Sequence, residues 1–188
     1  MRYKHVGLIG KARSGKDSVA KRLVQSRAYT RVAFADPLKA MALQTNPLVP
    51  TSPGVVVRLA PLINDVGWEY AKDTYPEVRR LLQNIGQTVR LHDEDFWVRT
   101  ALRKVDAADS WNLPVVITDV RYENEAFALR ERGFTLIRVS RPGAGAGEHA
   151  GHASETELDY VNPDLTIGNT GTLDDLNKIV DSLLLPRS

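Results

Sequence analysis

The chain has no cysteine among its 188 residues, which excludes disulfides, zinc–thiolate centres and thiol nucleophiles. No apolar run approaches the roughly 20 residues of a membrane-spanning helix. Met1-Arg2-Tyr3-Lys4 leads directly into a strand pattern and not into a signal peptide, so the expectation is a soluble cytoplasmic protein. A large charge excess is also missing. Lys+Arg number 25 against 23 Asp+Glu, a net charge of +2, which removes any electrostatic case for wrapping a nucleic-acid polymer. There is no internal repeat and no low-complexity tail. What remains is 43% hydrophobic and 26% charged, the composition of a soluble globule. The length fits one domain of about 100–200 residues, so residues 1–188 are expected to form a single domain.

Short apolar runs alternate with helical patterns. Val6 to Ile9, Arg31 to Ala35, Val115 to Thr118, Leu136 to Ser140 and Leu165 to Ile167 read as five strands. Lys16 to Val24, a short helix from Pro37 to Leu43, and Tyr122 to Arg132 read as helices between them. Thr172 caps a last helix carrying Leu173, Leu176, Ile179, Val180, Leu183 and Leu184. This alternation predicts an α/β fold, an open parallel five-stranded sheet with helices on both faces. Pro47, Pro50, Pro53 and Gly54 mark residues 44–57 as a loop. Helical patterns around 58–72, 76–89 and 95–107 form a block without a convincing strand, an insertion at one end of the sheet.

The chemistry is concentrated in Gly10-Lys11-Ala12-Arg13-Ser14-Gly15-Lys16-Asp17-Ser18. This matches G-x-x-x-x-G-K, with an apolar strand before it and an amphipathic helix after it, the context a phosphate-binding loop requires. Glycines let successive N–H groups turn toward phosphate oxygens, the helix N-terminus adds partial positive charge, and Lys16 adds a full one. A plain glycine turn with a surface lysine is the duller alternative. The Ser/Thr that usually follows the lysine and meets Mg²⁺ is here Asp17. A carboxylate can serve as a Mg²⁺ ligand, and Ser18 is a possible substitute.

Asp119 ends the third strand at the carboxyl edge, where open α/β sheets bind ligands. It reads either as a Mg²⁺-side carboxylate or as a helix cap. Arg121 follows, suited to bidentate phosphate recognition or to a surface salt bridge with Glu123 or Glu125. Arg138 and Arg141 stand at the end of the fourth strand, as clamps on a transferring phosphate or as solvated charges. His149 and His152 have helical metal-ligand spacing but sit in a glycine-rich stretch, so metal binding is not expected there. Trp68, Trp97 and Trp111 read as core residues. Trp97, surrounded by Asp93, Glu94, Asp95 and Arg99, is the one to watch as a contact to a ligand.

Several segments together resemble one family. They are Gly10 to Ser18 with Gly-Lys-Asp, Phe34-Ala35-Asp36-Pro37-Leu38-Lys39, Arg80-Leu81-Leu82-Gln83-Asn84-Ile85-Gly86, Asp95-Phe96-Trp97-Val98, Asp119-Val120-Arg121-Tyr122-Glu123-Asn124-Glu125, and His152-Ala153-Ser154-Glu155 with Leu158-Asp159. In this order they are similar to the bacteriophage deoxynucleoside monophosphate kinases, within the P-loop kinases. The resemblance spans residues 7–159 and makes Asp17 a match. It implies transfer of the γ-phosphoryl of ATP, with Mg²⁺, to a deoxynucleoside 5′-monophosphate, in host cytoplasm if the chain is phage-encoded. It also implies roles. Asp36 and Lys39 would flank the monophosphate, joined by Arg79, Arg80, Gln83, Trp97, Arg121 and Glu155. The segment 58–107 would be a substrate-binding excursion and 142–154 a lid. Asn169 and Gly171 would lie beside adenine. Two other readings stay open: a different phosphate-acceptor kinase, of the phosphomevalonate kinase type, and a non-enzymatic nucleotide switch.

Overall fold

A computed structural model describes residues 3–145 and 156–183. Five strands form one sheet: β1 (Val6–Ile9), β2 (Thr30–Val32), β5 (Val115–Ile117), β6 (Thr135–Ser140) and β7 (Leu165–Gly168). Their order is β2-β5-β1-β6-β7, and every pairing is parallel. The expected sheet is present, with β2 shorter than its pattern because Ala35 already opens a helix.

Strand alternation explains why both faces need helices. Val115 and Ile117 point to one side with Leu136, and Val116 points to the other with Ile137 and Val139. The first side is covered by Val98, Ala101 and Val105 of α5 (Phe96–Ser110) and by Ala126 and Leu129 of α6 (Glu123–Glu131). The second is covered by Val19, Ala20 and Leu23 of α1 (Lys16–Arg27), and by Leu176 and Val180 of the last helix, α7 (Leu173–Ser182). Thr172 caps α7 as expected, in a reciprocal capping box with Asp175. Because β1 is central and the chain moves to opposite sides of it, the carboxyl ends of β1 and β6 border the position where open α/β sheets bind ligands.

The described chain divides into two compact units, 1–34 with 98–188, and 35–97. The second contains α2 (Ala35–Thr45), a hairpin of β3 (Leu48–Ser52) and β4 (Val55–Arg58), α3 (Leu59–Thr74) and α4 (Pro76–His92). Its core is Ala42, Val49, Leu59, Leu62, Ile63, Ala71 and Val78. The boundaries therefore differ from the expected excursion 58–107. The hairpin and α2 pack with α3 and α4, whereas α5 from Val98 onward packs on the sheet. The hairpin also corrects the loop expected at 44–57. Pro50 lacks an N–H, but a two-stranded ribbon tolerates it, opposite Val56. Pro53-Gly54 makes the turn, with Gly54 at φ +74°.

Candidate functional site

The loop after β1 is built from two backbone conformations that side chains resist. Gly10 lies at φ +140°, and a methyl group on it would sit 2.3 Å from the Val139 carbonyl oxygen. Gly15 lies at φ +107°, and a methyl there would sit 2.5 Å from Asn169 Nδ2. Arg13 also takes a left-handed φ of 63°. Gly15 is the N-cap of α1 and has no side chain to offer, so no side chain caps this helix start. That leaves the first-turn N–H groups of α1 without a side-chain acceptor at the N-cap. Lys16 folds over the loop, and its Nζ donates to the carbonyls of Gly10 (2.6 Å) and Lys11 (2.8 Å). Ser14 is fully buried, and its Oγ has no hydrogen-bond partner.

A cleft of about 200 Å³ opens beside this loop. Gly10, Lys11 and Ser14 line it from the loop after β1, Val120 and Arg121 from the segment after β5, and Arg138 to Arg141 from the end of β6. Ala144, Leu158 and Asp159 complete it. Three of the arginines singled out in the sequence thus meet at one edge of the sheet. They differ in what holds them. Arg138 Nη2 donates to the carbonyls of Leu158 (2.8 Å) and Val161 (2.6 Å), while its Nε is buried without a partner. Half of the clamp expected at Arg138 is therefore occupied in anchoring the 158–161 segment. Arg141 is exposed. Arg121 is half-buried, and its backbone N–H donates to Glu125 Oε2 at 2.7 Å. Glu125 is buried and receives the Tyr122 N–H as well, which closes a capping box on α6.

Asp119 is half-buried, and its Oδ1 accepts the Phe34 N–H at 2.8 Å, tying the end of β5 to the end of β2. Asp17 is exposed and Ser18 half-buried in the first turn of α1. Among the described residues no three His, Asp or Glu side chains converge as a metal cage. The donors near the loop are nonetheless all oxygen. That chemistry suits Mg²⁺, which takes one or two carboxylates and fills its shell with phosphate oxygens and water.

Three connections had no local signal in the sequence. Lys11 Nζ donates to Asp159 at 2.6 Å across 148 residues. The Gly145 N–H donates to the Ala12 carbonyl at 3.0 Å. Asn169, expected beside adenine, is buried, and its Nδ2 donates to the Ser14 carbonyl at 2.9 Å. Gly171 is exposed just ahead of the Thr172 cap. Glu155, His149, His152 and most of the expected lid lie outside the described residues.

The unit 35–97 carries the other expected residues. Lys39 places its ammonium 5.7 Å from the ring centre of Trp68, a cation–π contact. Arg79 pairs with Asp73 at 3.1 Å and Arg80 with Glu77 at 2.7 Å. The Glu77 carboxylate raises the Arg80 pKa above its ordinary value, chiefly through their hydrogen bonds. Asp36 and Gln83 are half-buried on α2 and α4. Trp97 is 4% exposed and its indole N–H donates to the Gly86 carbonyl at 3.2 Å, so within this unit it acts as a core anchor. Trp111, expected in the core, is 79% exposed at the end of α5.

The family model described as "Deoxynucleotide monophosphate kinase" matches residues 57–180. The chain belongs to the deoxynucleotide monophosphate kinase family. The matched span leaves out the loop at 10–18, so the loop geometry and the family match are independent observations. An Acanthamoeba polyphaga mimivirus protein provisionally named as a member is 26% identical over 184 residues, covering 90% of each chain. The Enterobacteria phage T4 enzyme of that name is 34% identical over 110 residues, which cover 56% of this chain and 45% of the phage protein. The match thus spans less than half the length of that phage relative. Among solved structures, a sugar kinase from Janibacter sp. superposes with a TM-score of 0.51 at 13% identity, covering 94% of this chain and 91% of its own. A dephospho-CoA kinase from Campylobacter jejuni gives 0.51 at 10% identity, covering 95% and 94%. These two bear on the fold alone and agree with the parallel α/β sheet described above. The fold class and the kinase assignment expected from the sequence both hold.

Proposed function

We propose that this family member transfers the γ-phosphoryl of ATP to a deoxynucleoside 5′-monophosphate, giving ADP and the diphosphate. The observation that carries the reading is the cleft where the phosphate loop of β1 meets Arg121, Arg138 and Arg141 from β5 and β6. Backbone N–H groups of the loop 10–18 and the N-terminus of α1 receive the ATP phosphates, apart from that of Ser14, which donates to the Lys11 carbonyl at 3.2 Å. Lys16 leaves its two loop carbonyls and takes β- and γ-phosphate oxygens in their place. Asp17, Ser18 and Asp119 are the side chains that would hold Mg²⁺, which neutralises phosphate charge when bound.

The acceptor decides the rest of the mechanism. A monophosphate has a second pKa of about 6 and is largely dianionic at neutral pH. It is already a nucleophile, so no general base is required of this chain. The protein's work is positioning and charge neutralisation. Arg121 holds the acceptor phosphate through two parallel N–H donors. Arg141 draws charge from the transferring group, and Arg138 contributes from its cleft-lining position while anchoring residues 158–161. Asp36, Lys39, Arg79, Arg80, Gln83, Trp97 and Glu155 are assigned to the monophosphate on the family resemblance, with the indole of Trp97 contributing from a largely buried position. Asp73 and Glu77 hold Arg79 and Arg80 in ion pairs of the kind that costs little to break.

The deciding experiment is a coupled assay for ADP with and without each deoxynucleoside monophosphate. ADP formation that depends on one of them, with its diphosphate as product, is the expected result. Slow ADP release that no monophosphate accelerates sinks the proposal in favour of a nucleotide switch. Acceleration by phosphomevalonate alone assigns a different acceptor.

A further inference from the structure

Asn169 stands at the end of β7, the strand farthest in sequence from the phosphate loop, yet it touches the loop directly. Its backbone N–H donates to the Ser140 carbonyl at 2.7 Å, which fixes the residue to the end of β6. Its side chain is 8% exposed, and Nδ2 donates to the Ser14 carbonyl at 2.9 Å across 155 residues. The same nitrogen occupies the space a Gly15 side chain would need, 2.5 Å from the position of a Cβ. A peptide unit is planar and trans, so its C=O and N–H point in opposite directions. Holding the Ser14 carbonyl on Asn169 therefore directs the Gly15 N–H the opposite way. Gly15, with no Cβ and φ +107°, could rotate that peptide freely if nothing held it.

We propose that Asn169 is a positioning residue of the phosphate loop, locking the Ser14–Gly15 peptide so that the Gly15 N–H faces the phosphates of the bound nucleotide. It acts through backbone and not on the base, which separates it from the adenine contact expected from the sequence. The inference rests on the phosphate loop taking the triphosphate of ATP. It predicts that the residue serves any ligand carrying a phosphate chain, with or without a nucleobase.

The test uses the full chain and two variants. Asn169→Leu keeps the branching at Cγ with bulkier ends and removes the donor, and Asn169→Asp keeps the shape and sets an acceptor against the Ser14 carbonyl. Dissociation constants are measured for Mg·ATP, Mg·GTP and inorganic tripolyphosphate with Mg²⁺, alongside KM for the monophosphate and a thermal unfolding curve. Both variants are expected to weaken all three phosphate ligands by about tenfold or more, the consequence of losing one buried hydrogen bond. The loss should be the same factor for ATP and tripolyphosphate, with KM for the monophosphate within about threefold. If Asn169→Leu does not unfold cooperatively, Asn169→Ser, with a donor on a shorter arm, is read in the same way. Tripolyphosphate binding equal to wild type in a folded variant overturns the inference. So does a loss confined to ATP, which returns Asn169 to the adenine. A wild-type chain that binds neither ATP nor tripolyphosphate overturns the reading of the loop itself, a separate failure.

Discussion

The two compact units hold their charged side chains in different ways. In the sheet unit, the groups around the cleft are fixed by partners far along the chain. Lys11 meets Asp159, Asn169 meets Ser14, and Arg138 reaches the carbonyls of Leu158 and Val161. In the unit 35–97, two of the arginines, Arg79 and Arg80, are paired with acidic near neighbours on the surface. Arg80 pairs with Glu77 three residues away and Arg79 with Asp73 six residues away. Long-range and partly buried partners preorganise a site, so little geometry must change when phosphate arrives. Exposed local pairs contribute little to stability, which lets their arginines exchange an acidic partner for an incoming phosphate. Under the proposed function, the phosphate chain of ATP falls to the fixed groups of the first unit and the acceptor to the redirectable charges of the second.

The sharpest way to break this contrast is Lys16→Ala. Turnover is expected to fall by at least about a hundredfold, the scale for one preorganised electrostatic group, with the melting temperature nearly unchanged. A variant with normal kcat would remove the phosphate loop from the mechanism. Gly10→Ala comes next and tests rigidity directly. The methyl group has no room beside the Val139 carbonyl, so stability should drop by about 1–3 kcal/mol and ATP affinity with it. Unchanged unfolding and ATP binding would mean that the loop is pliable and that the contrast is wrong.

Arg121→Lys keeps the charge and loses the planar pair of donors. The expected loss is roughly ten- to a hundredfold in kcat/KM for the monophosphate, with ATP binding in the absence of acceptor nearly unchanged. A loss confined to ATP would move Arg121 to the donor side, and a change in melting temperature alone would leave it a structural ion pair. Arg80→Ala probes the other unit. KM for the monophosphate should rise severalfold without a measurable shift in melting temperature. A stability loss with unchanged KM would show that the Glu77 pair is structural.

The smallest effect concerns pH. The Arg22 guanidinium hydrogen-bonds Asp181 between α1 and α7 and holds its carboxyl below the ordinary carboxylate range. A carboxyl depressed in the folded state adds stability that is present above its unfolded pKa and is lost as pH falls through the folded value. Acid melts of the wild type and Arg22→Ala should therefore converge below that range and differ slightly above it. A constant difference at every pH would assign the effect of Arg22 to packing.

The parts of the site that were legible in the sequence were those whose cause is local. Gly10, Gly15 and Lys16 were found because a strand, a turn with forced positive φ and a helix start follow one another within about a dozen residues. The hairpin 48–58 was missed although Pro53-Gly54 beside Val55-Val56-Val57 is a turn signal. Four prolines and glycines in a short stretch read as a loop, and only pairing with the facing strand overrides that. That Trp97 is largely buried, with its indole N–H on the Gly86 carbonyl of α4, could not be read from its acidic neighbours, because burial is a property of packing.

Periodicity, capping and glycine placement are written within single elements, so the sequence by itself determined the parallel α/β class, the glycine turn between β1 and α1, and the Thr172 cap. The order β2-β5-β1-β6-β7 was decided only by the folded chain, as were the meeting of three arginines at one cleft and the choice of Leu158 and Val161 carbonyls for Arg138. The reason is that a hydrogen-bonding group takes whichever partner the assembled layers bring within about 3 Å. For Asn169 that partner is Ser14, 155 residues away, and no local pattern carries information over such a separation.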